Sequence, residues 1–384
     1  MLHSKLPNVG TTIFTTMSAM AAEYGAINLS QGFPDFSPPA ELLTALAKAL
    51  QDGKNQYPPM MGVAELRHQI QLKIAQLYGA DVDMDREITV TSGATEALFV
   101  AIQAIVQRGD EVIIIDPAYD AYQPSIELAG GIAVHVSMTP DFSIDWQQVQ
   151  DAITPRTRGI IVNSPHNPTG SVLTRQDLEA LAQLTEQHDL VVISDEVYEH
   201  MVFDGVAHLS LLSHEVLRQR SFVVSSFGKT YHATGWKVGY AVAPPAFTVE
   251  FRKIHQYVTF TTHTPTQFAL ADYMQHHPEH HLQLPDFYQA KRNLFLELMA
   301  PSSFKFVPTP GTYFQLADFS GLSDLSDVEL ATHLTQTVGV AAIPISVFYQ
   351  TPPEQKVLRF CFAKDDETLR QAAMKLTVFS EQAA

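Results

Sequence analysis

Cysteine is nearly absent from this chain: Cys361 is the only one in 384 residues. No intramolecular disulfide can form, which fits a reducing, cytoplasmic setting. Long apolar runs are also missing. No stretch approaches the ~20 residues that a bilayer-spanning helix needs. The segment Met1 to Phe14 lacks the continuous apolar stretch of a secretory signal, so no membrane association is expected. Positive charge is scarce as well, with 24 Lys and Arg against 41 Asp and Glu and a net charge of −17. That balance disfavours nucleic acid and anionic lipid, but leaves room for an anionic ligand in a locally positive pocket. Internal repeats and low-complexity tracts are not seen.

What remains is an ordinary globular composition, 46% apolar and 17% charged, able to bury a sizeable core. Its length suits one large α/β domain with a smaller companion. Between about Glu41 and Tyr240, helical and strand patterns alternate. Apolar spacings of three and four predict helices at Glu41–Leu50 and Val63–Leu77. Short runs rich in β-branched residues predict seven strands: Ile88–Thr91, Glu111–Ile115, Ile132–Ser137, Gly159–Asn163, Val191–Ser194, Ser221–Ser225 and Val238–Val242. Several are apolar at successive positions, as in strands covered on both faces. Helices Thr95–Arg108, Ala121–Ala129 and Arg175–Gln187 separate many of them. The fold class is therefore α/β, a mostly parallel seven-stranded sheet sandwiched by helices. Ligands in such sheets sit at the carboxyl ends of strands.

After Pro265 the pattern changes to a smaller α+β region. Helices are expected at Asp286–Met299 and Asp327–Thr337, and strands at Tyr313–Leu316 and Leu358–Ala363. The first forty residues show no strong periodicity. His276, His277, His280 and His281 flank Pro278; that run reads as an exposed loop rather than a metal site, and no metal is expected.

Five segments carry chemistry. In Ser225-Ser226-Phe227-Gly228-Lys229-Thr230, an apolar, close-packed setting would lower the pKa of Lys229, and an unprotonated lysine can form a Schiff base. Ser226 could bond a phosphate. In Ser194-Asp195-Glu196-Val197-Tyr198, Asp195 could simply cap a turn, or it could be a buried acid paired with a pyridine nitrogen, making that ring an electron sink. Asn163-Ser164-Pro165-His166-Asn167-Pro168-Thr169-Gly170 has good turn chemistry; its two X-Pro bonds suggest a rigid loop that fixes the Asn167 amide, with a cis bond possible. Thr91-Ser92-Gly93-Ala94-Thr95 joins a strand to a helix, where small residues let backbone N–H groups approach an anion. Finally, Lys237 and Arg359 are single cations among apolar or aromatic neighbours. A buried guanidinium needs a partner, and its planar fork suits a carboxylate.

As a set, Asn-Pro-Thr-Gly, Ser-Asp-Glu-Val-Tyr, Ser-Phe-Gly-Lys-Thr, Gly-Trp-Lys-Val-Gly-Tyr and a late Leu-Arg-Phe resemble the class I aminotransferases of fold type I, across nearly the whole chain. Gln31-Gly32-Phe33-Pro34-Asp35-Phe36, Asn55-Gln56-Tyr57 and Thr230-Tyr231-His232-Ala233-Thr234-Gly235 are similar to the kynurenine aminotransferase and glutamine transaminase subgroup, with its bacterial methionine aminotransferases. The resemblance implies a large cofactor-binding domain at 44–285, a small domain from 1–43 and 286–384, and a homodimer with shared active sites. It implies pyridoxal 5'-phosphate on Lys229, Asp195 at the pyridine nitrogen, and Asn167 and Tyr198 at the phenolic oxygen. Tyr119 would stack on the ring. Gly93, Ala94, Thr95, Ser226 and Lys237 would hold the phosphate, with Tyr57 reaching the neighbouring subunit's. Arg359, Gly32 and Asn167 would hold the substrate. Lys237 departs from the arginine usual at its position; it keeps the charge and loses the fork. The expected reaction is ping-pong transamination between a large uncharged L-amino acid (methionine, aromatic, kynurenine or glutamine) and a 2-oxo acid. A cysteine-S-conjugate β-lyase is the alternative. A DNA-binding regulator of the same fold would need an added basic domain.

Overall fold

The computed structural model describes residues 2–383. A seven-stranded sheet forms its centre, from β1 (Ile88–Thr91), β2 (Glu111–Asp116), β3 (Ile132–Ser137), β4 (Thr157–Asn163), β5 (Val191–Asp195), β6 (Ser221–Ser226) and β7 (Gly239–Val242). Their spatial order is β1-β7-β6-β5-β4-β2-β3. All neighbours run parallel except β7, which is antiparallel to both β1 and β6. The run-on apolar sequences have a direct cause. Alternate residues feed two separate cores, with Ile113, Val162, Val192 and Val223 on one face and Ile114, Ile161, Ile193 and Phe222 on the other. Helices cover both, Gly93–Ile105 through Ala97 and Ala101 and Arg175–His188 through Leu178 and Leu181. The strands agree with the sequence reading to within two residues at each end.

Both chain ends build a third apolar core, in which Met17 and Leu29 pack with Phe314, Phe360 and Leu369. Here Ile343–Pro344, Val357–Cys361 and Phe314–Asp318 form a three-stranded antiparallel sheet in that order. Ile27–Asn28 pairs in parallel with Val340–Ala341. The boundaries at 44 and 286 fall inside helices Ala40–Gln51 and His280–Met299.

Several elements depart from expectation. A helix spans Ile13–Tyr24, between a Thr12 cap and Gly25 at φ 62°, and buries only Met17 and Ala21. Ile13, Phe14, Met17 and Met20 stand at helical spacing against the core, but Ala19, Ala21 and Ala22 spread apolar character to the other faces and blur that stripe. Helices Pro245–Val258, Thr264–His276 and Asp366–Ala383 are additional. The helix expected from Asp286 begins at His280 and carries Pro285 inside it. The histidine run is accordingly a loop only in part: His276 ends one helix, a turn exposed at Pro278 and Glu279 follows, and His280 and His281 open the next helix. His281 is buried against His200, ring centroids 5.0 Å apart, and the His280 ring bridges the Thr230 carbonyl and the Tyr273 hydroxyl, each at 3.1 Å. The helix from Asp327 is α-helical to His333, then closes in a wider turn over Leu334–Val338 before Gly339 at φ 80°. Among the described residues, no helix is long and apolar enough to cross a membrane.

Candidate active site

A cavity of about 210 Å³ opens at the carboxyl ends of the parallel strands. Its walls include Gly32, Gly93, Ala94, Thr95, Tyr119, Asn167, Asp195, Tyr198, Ser226, Lys229, Lys237 and Arg359. Twelve of the thirteen residues singled out in the sequence thus converge on one space, from segments more than 300 residues apart. The thirteenth, Tyr57, stands on the outer surface of the same chain, 86% exposed, with its ring edge-on to Phe260.

Lys229 sits in the short helix Phe227–Thr230 that follows β6. Its amine donates to the Gly32 carbonyl at 2.8 Å and to the Tyr313 hydroxyl at 2.7 Å. Burial pushes its pKa down to about 8. The nearby Arg359 and Lys237 charges contribute to that lowering, and Cys361 and Asp195 oppose it. A substantial fraction of the amine is therefore neutral near physiological pH.

At one end of the cavity, β1 runs into the helix Gly93–Ile105, whose first backbone N–H groups have no partner within the helix. Gly93 has φ +78°, and a Cβ there would lie 3.3 Å from Lys237 Cε. Gly239 at the start of β7 faces the same turn; a Cβ on it would stand 2.9 Å from the Ala94 nitrogen. The two glycines let two strands and a helix start meet closely. Lys237 takes a left-handed φ of 53° and brings its amine there. Unpaired N–H groups, the helix dipole, the Ser226 hydroxyl and a lysine make an anion seat.

Asp195 ends β5 and is 4% exposed. Burial raises its pKa to about 6. The Tyr122 hydroxyl donates to its Oδ2 at 2.7 Å and the Val197 N–H to its Oδ1 at 3.3 Å. Asn163 anchors the segment, donating from Nδ2 to the Asp195 carbonyl at 2.8 Å and accepting the Asn167 N–H at 2.7 Å. Ser164–Pro165 and Asn167–Pro168 are both cis.

Arg359 lies in the strand Val357–Cys361 and is fully buried. Nη1 donates to Asn167 Oδ1 at 2.7 Å and Nη2 to the Ser30 carbonyl at 2.9 Å. Its guanidinium stacks on Phe314, 3.8 Å from the ring centroid. Nε is buried with no partner, and burial pushes the pKa down to about 10. Arg359 lines the cavity as a buried cation to which no carboxylate is bonded among the described residues, and an incoming carboxylate would answer its charge.

The family profile for Aminotransferase class I and II matches residues 24–376. The chain belongs to this family. This aminotransferase is 52% identical over 375 residues to the methionine aminotransferase of Escherichia coli, covering 97% of each chain. It is 34% identical to kynurenine–oxoglutarate transaminase 1 of Rattus norvegicus, over 98% of this chain and 97% of that one. A crystal structure of an Escherichia coli protein with methionine aminotransferase function superposes with a TM-score of 0.96 at 52% identity, covering 98% of this chain and 99% of that one. These relatives carry aminotransferase and transaminase names, which supports transamination over β-elimination.

Class I aminotransferases of this kind use pyridoxal phosphate, and the cavity fits it. The group needs a reactive amine, an acid for its ring nitrogen and donors for its phosphate. Lys229, the buried Asp195 and the seat between Gly93 and Lys237 meet those needs within one space. Sequence reading missed Tyr122, Asn163 and Tyr313. Tyr122 lies three residues beyond Tyr119, at the start of the helix Tyr122–Leu128, and shows no pattern of its own. Asn163 stood inside a segment chosen for Asn167, and Tyr313 read as an ordinary strand residue.

Proposed function

We propose that this aminotransferase moves the amino group of a large, uncharged L-amino acid, methionine first among them, to a 2-oxo acid. The observation that carries the reading is the common cavity of Lys229, Asp195 and Arg359, one amine, one acid and one cation bonded only to neutral groups. Lys229 would hold the cofactor through its amine as a Schiff base, Asp195 its ring nitrogen, Asn167 and Tyr198 its phenolic oxygen, and Tyr119 its ring face. Gly93, Ala94, Thr95, Ser226 and Lys237 would hold its phosphate. When bound, pyridoxal phosphate supplies an aldehyde that takes the amino group and a ring that draws electrons from the substrate Cα.

The chain's own residues do the rest. Arg359, with Asn167 and Gly32, grips the substrate carboxylate and so fixes which bond at Cα faces Lys229. The freed Lys229 amine, neutral near its depressed pKa, takes the Cα proton and returns one as an acid later in the cycle. Asp195, kept close by Tyr122, stays ionised beside a cationic ring nitrogen. Two successive half-reactions on one site give ping-pong kinetics. The methionine reading is supported by the relatives above and by the walls around Lys229, where Phe14, Val197, Tyr198 and Phe314 offer no carboxylate or second free guanidinium.

A homodimer belongs to the same reading. Tyr57 and Phe260 are exposed aromatic residues packed edge-on on one surface, and Tyr57 would reach the partner's phosphate seat. So does a division into a cofactor-binding part, 44–285, and a small part from 1–43 and 286–384, and so does a cytoplasmic location for a chain whose one cysteine is buried and free.

The test is an absorption spectrum of the holoenzyme before and after methionine is added without an acceptor. A band near ~420 nm moving to near ~330 nm is expected. A cofactor band that methionine leaves unchanged would refute methionine as donor. Transamination by Lys229→Ala without added amine would refute the role of Lys229.

A further inference from the structure

Lys229 does not lie loosely in the cavity. Its amine makes two hydrogen bonds, to the Gly32 carbonyl at 2.8 Å and to the Tyr313 hydroxyl at 2.7 Å. The Tyr313 hydroxyl in turn donates to the same Gly32 carbonyl. Tyr313 is fully buried, and burial holds its pKa well above the usual tyrosine range. It therefore keeps its single proton, which goes to Gly32, and presents only lone pairs to the lysine. The three groups close a small triangle.

The triangle is held from both sides. Thr312, a β-branched residue, sits at φ 64°, a conformation that such side chains seldom adopt. It is fixed there by its N–H to the Met201 carbonyl at 2.9 Å. Strain of this kind persists only where surrounding structure dictates it, and it is common at functional sites. Its effect is to aim the next residue, Tyr313, at Lys229. On the other side, a Cβ on Gly32 would come within 2.7 Å of the Phe314 ring. Only glycine lets that carbonyl stand where it does.

The valence of nitrogen gives the triangle a meaning. A neutral amine has two N–H bonds and one lone pair. Both N–H bonds are taken by Gly32 and Tyr313, so the lone pair is what remains to point into the cavity. We propose that Tyr313, together with the Gly32 carbonyl, is a positioning residue that seats the Lys229 amine whenever it is not bonded to cofactor and aims its lone pair at the substrate. This rests on the role given to Lys229 above. The seat also favours the protonated amine, because an ammonium gains more from two acceptors than a neutral amine does. Arg359 and Lys237 act against that charge, and Asp195, Cys361 and the faces of Tyr198 and Tyr313 favour it.

The test is Tyr313→Phe, which keeps the ring and removes the acceptor. The holoenzyme is loaded with pyridoxamine phosphate, so that Lys229 is free, and trace-labelled with acetic anhydride across a pH series. Labelling of the peptide carrying Lys229 is read by mass spectrometry. The variant's midpoint should fall by about one pH unit, as expected for loss of a hydrogen bond to a charged group. Its kcat for methionine should fall about tenfold or more through misaim, with KM changed far less. Looser packing alone would admit water and raise the midpoint, so a fall separates the seat from packing. An unmoved or raised midpoint overturns the proposal, whatever happens to kcat. If Tyr313→Phe does not fold, Tyr313→Leu serves the same measurement. A moved midpoint in an enzyme that methionine does not convert would keep the seat and sink the substrate reading; the reverse result would do the opposite.

Discussion

Replacing Arg359 by methionine should abolish transamination and yet leave the fold as stable as before, or more so. Removal of a large buried side chain with two hydrogen bonds ordinarily costs ~3–5 kcal/mol. Arg359 is different, because its charge is fully buried and bonded only to the neutral Asn167 Oδ1 and Ser30 carbonyl. Burial lowers its pKa to about 10. The gap from an ordinary arginine corresponds to roughly 3 kcal/mol carried by the fold to keep the cation. Methionine relieves that, while orphaning two acceptors at about 1 kcal/mol each. A net change between zero and about 1 kcal/mol in favour of the variant follows. Urea unfolding of the enzyme without substrate measures it. In a second arm, 3-(methylthio)propionate, a carboxylate with no amino group to react, is added. At 100 times its Kd it should stabilise the wild type by about 2.7 kcal/mol and the variant hardly at all. Should Arg359→Met instead lose more than about 2 kcal/mol, the arginine is a strut between Asn167 and Ser30, and the idea of a charge waiting for a carboxylate fails.

Three other outcomes are expected. Gly93→Ala combines a φ of +78° with a Cβ 3.3 Å from Lys237 Cε; it should cost about 1–2 kcal/mol in stability, and its cofactor affinity, measured by equilibrium dialysis, should fall by at least the tenfold that displacement of one phosphate donor brings. Lys73→Met strips the buried Glu199 of the cation 2.7 Å away, and denaturant unfolding should show a loss of about 3–5 kcal/mol, much of it recovered when Glu199 is also made apolar. The kcat profile should have an acid limb near the depressed Lys229 value of about 8. Falling pH protonates the base, so activity declines below that point; an ordinary lysine would put the limb roughly two pH units higher.

The sheet was readable because two-sided burial leaves an unbroken apolar run, as in Val191–Asp195, with Val192 and Ile193 facing different cores. The site was readable because its polar residues follow such strands directly, as Ser226 and Lys229 follow β6. What escaped has a common physical origin. In the helix Ile13–Tyr24 the apolar stripe of Ile13, Phe14, Met17 and Met20 is blurred by alanines on the other faces, so its period is weak. Pro285 hid the start of a helix that contains it. Tyr122 and Tyr313 act through a hydroxyl aimed by tertiary structure, and no local spacing announces where a phenol will point. In the histidine run His276 and Pro278 are exposed as expected, but clustered imidazoles look solvated throughout, and only packing shows His281 inside.

The direction of β7 has a mechanical consequence. Ser226, the last residue of β6, pairs directly with Gly239, the first of β7. The intervening backbone is thus a closed ring, pinned at its neck by the sheet. Both Lys229 and Lys237 ride on that ring, the amine proposed to take part in the chemistry and the cation proposed to hold the phosphate. They share one frame, so their separation is set by the length of the ring rather than by the rest of the molecule. Adding or deleting a residue there cannot retune one lysine while sparing the other. The segment can vary in side chains but not in length, and drift in the remainder of the fold reaches the two lysines together.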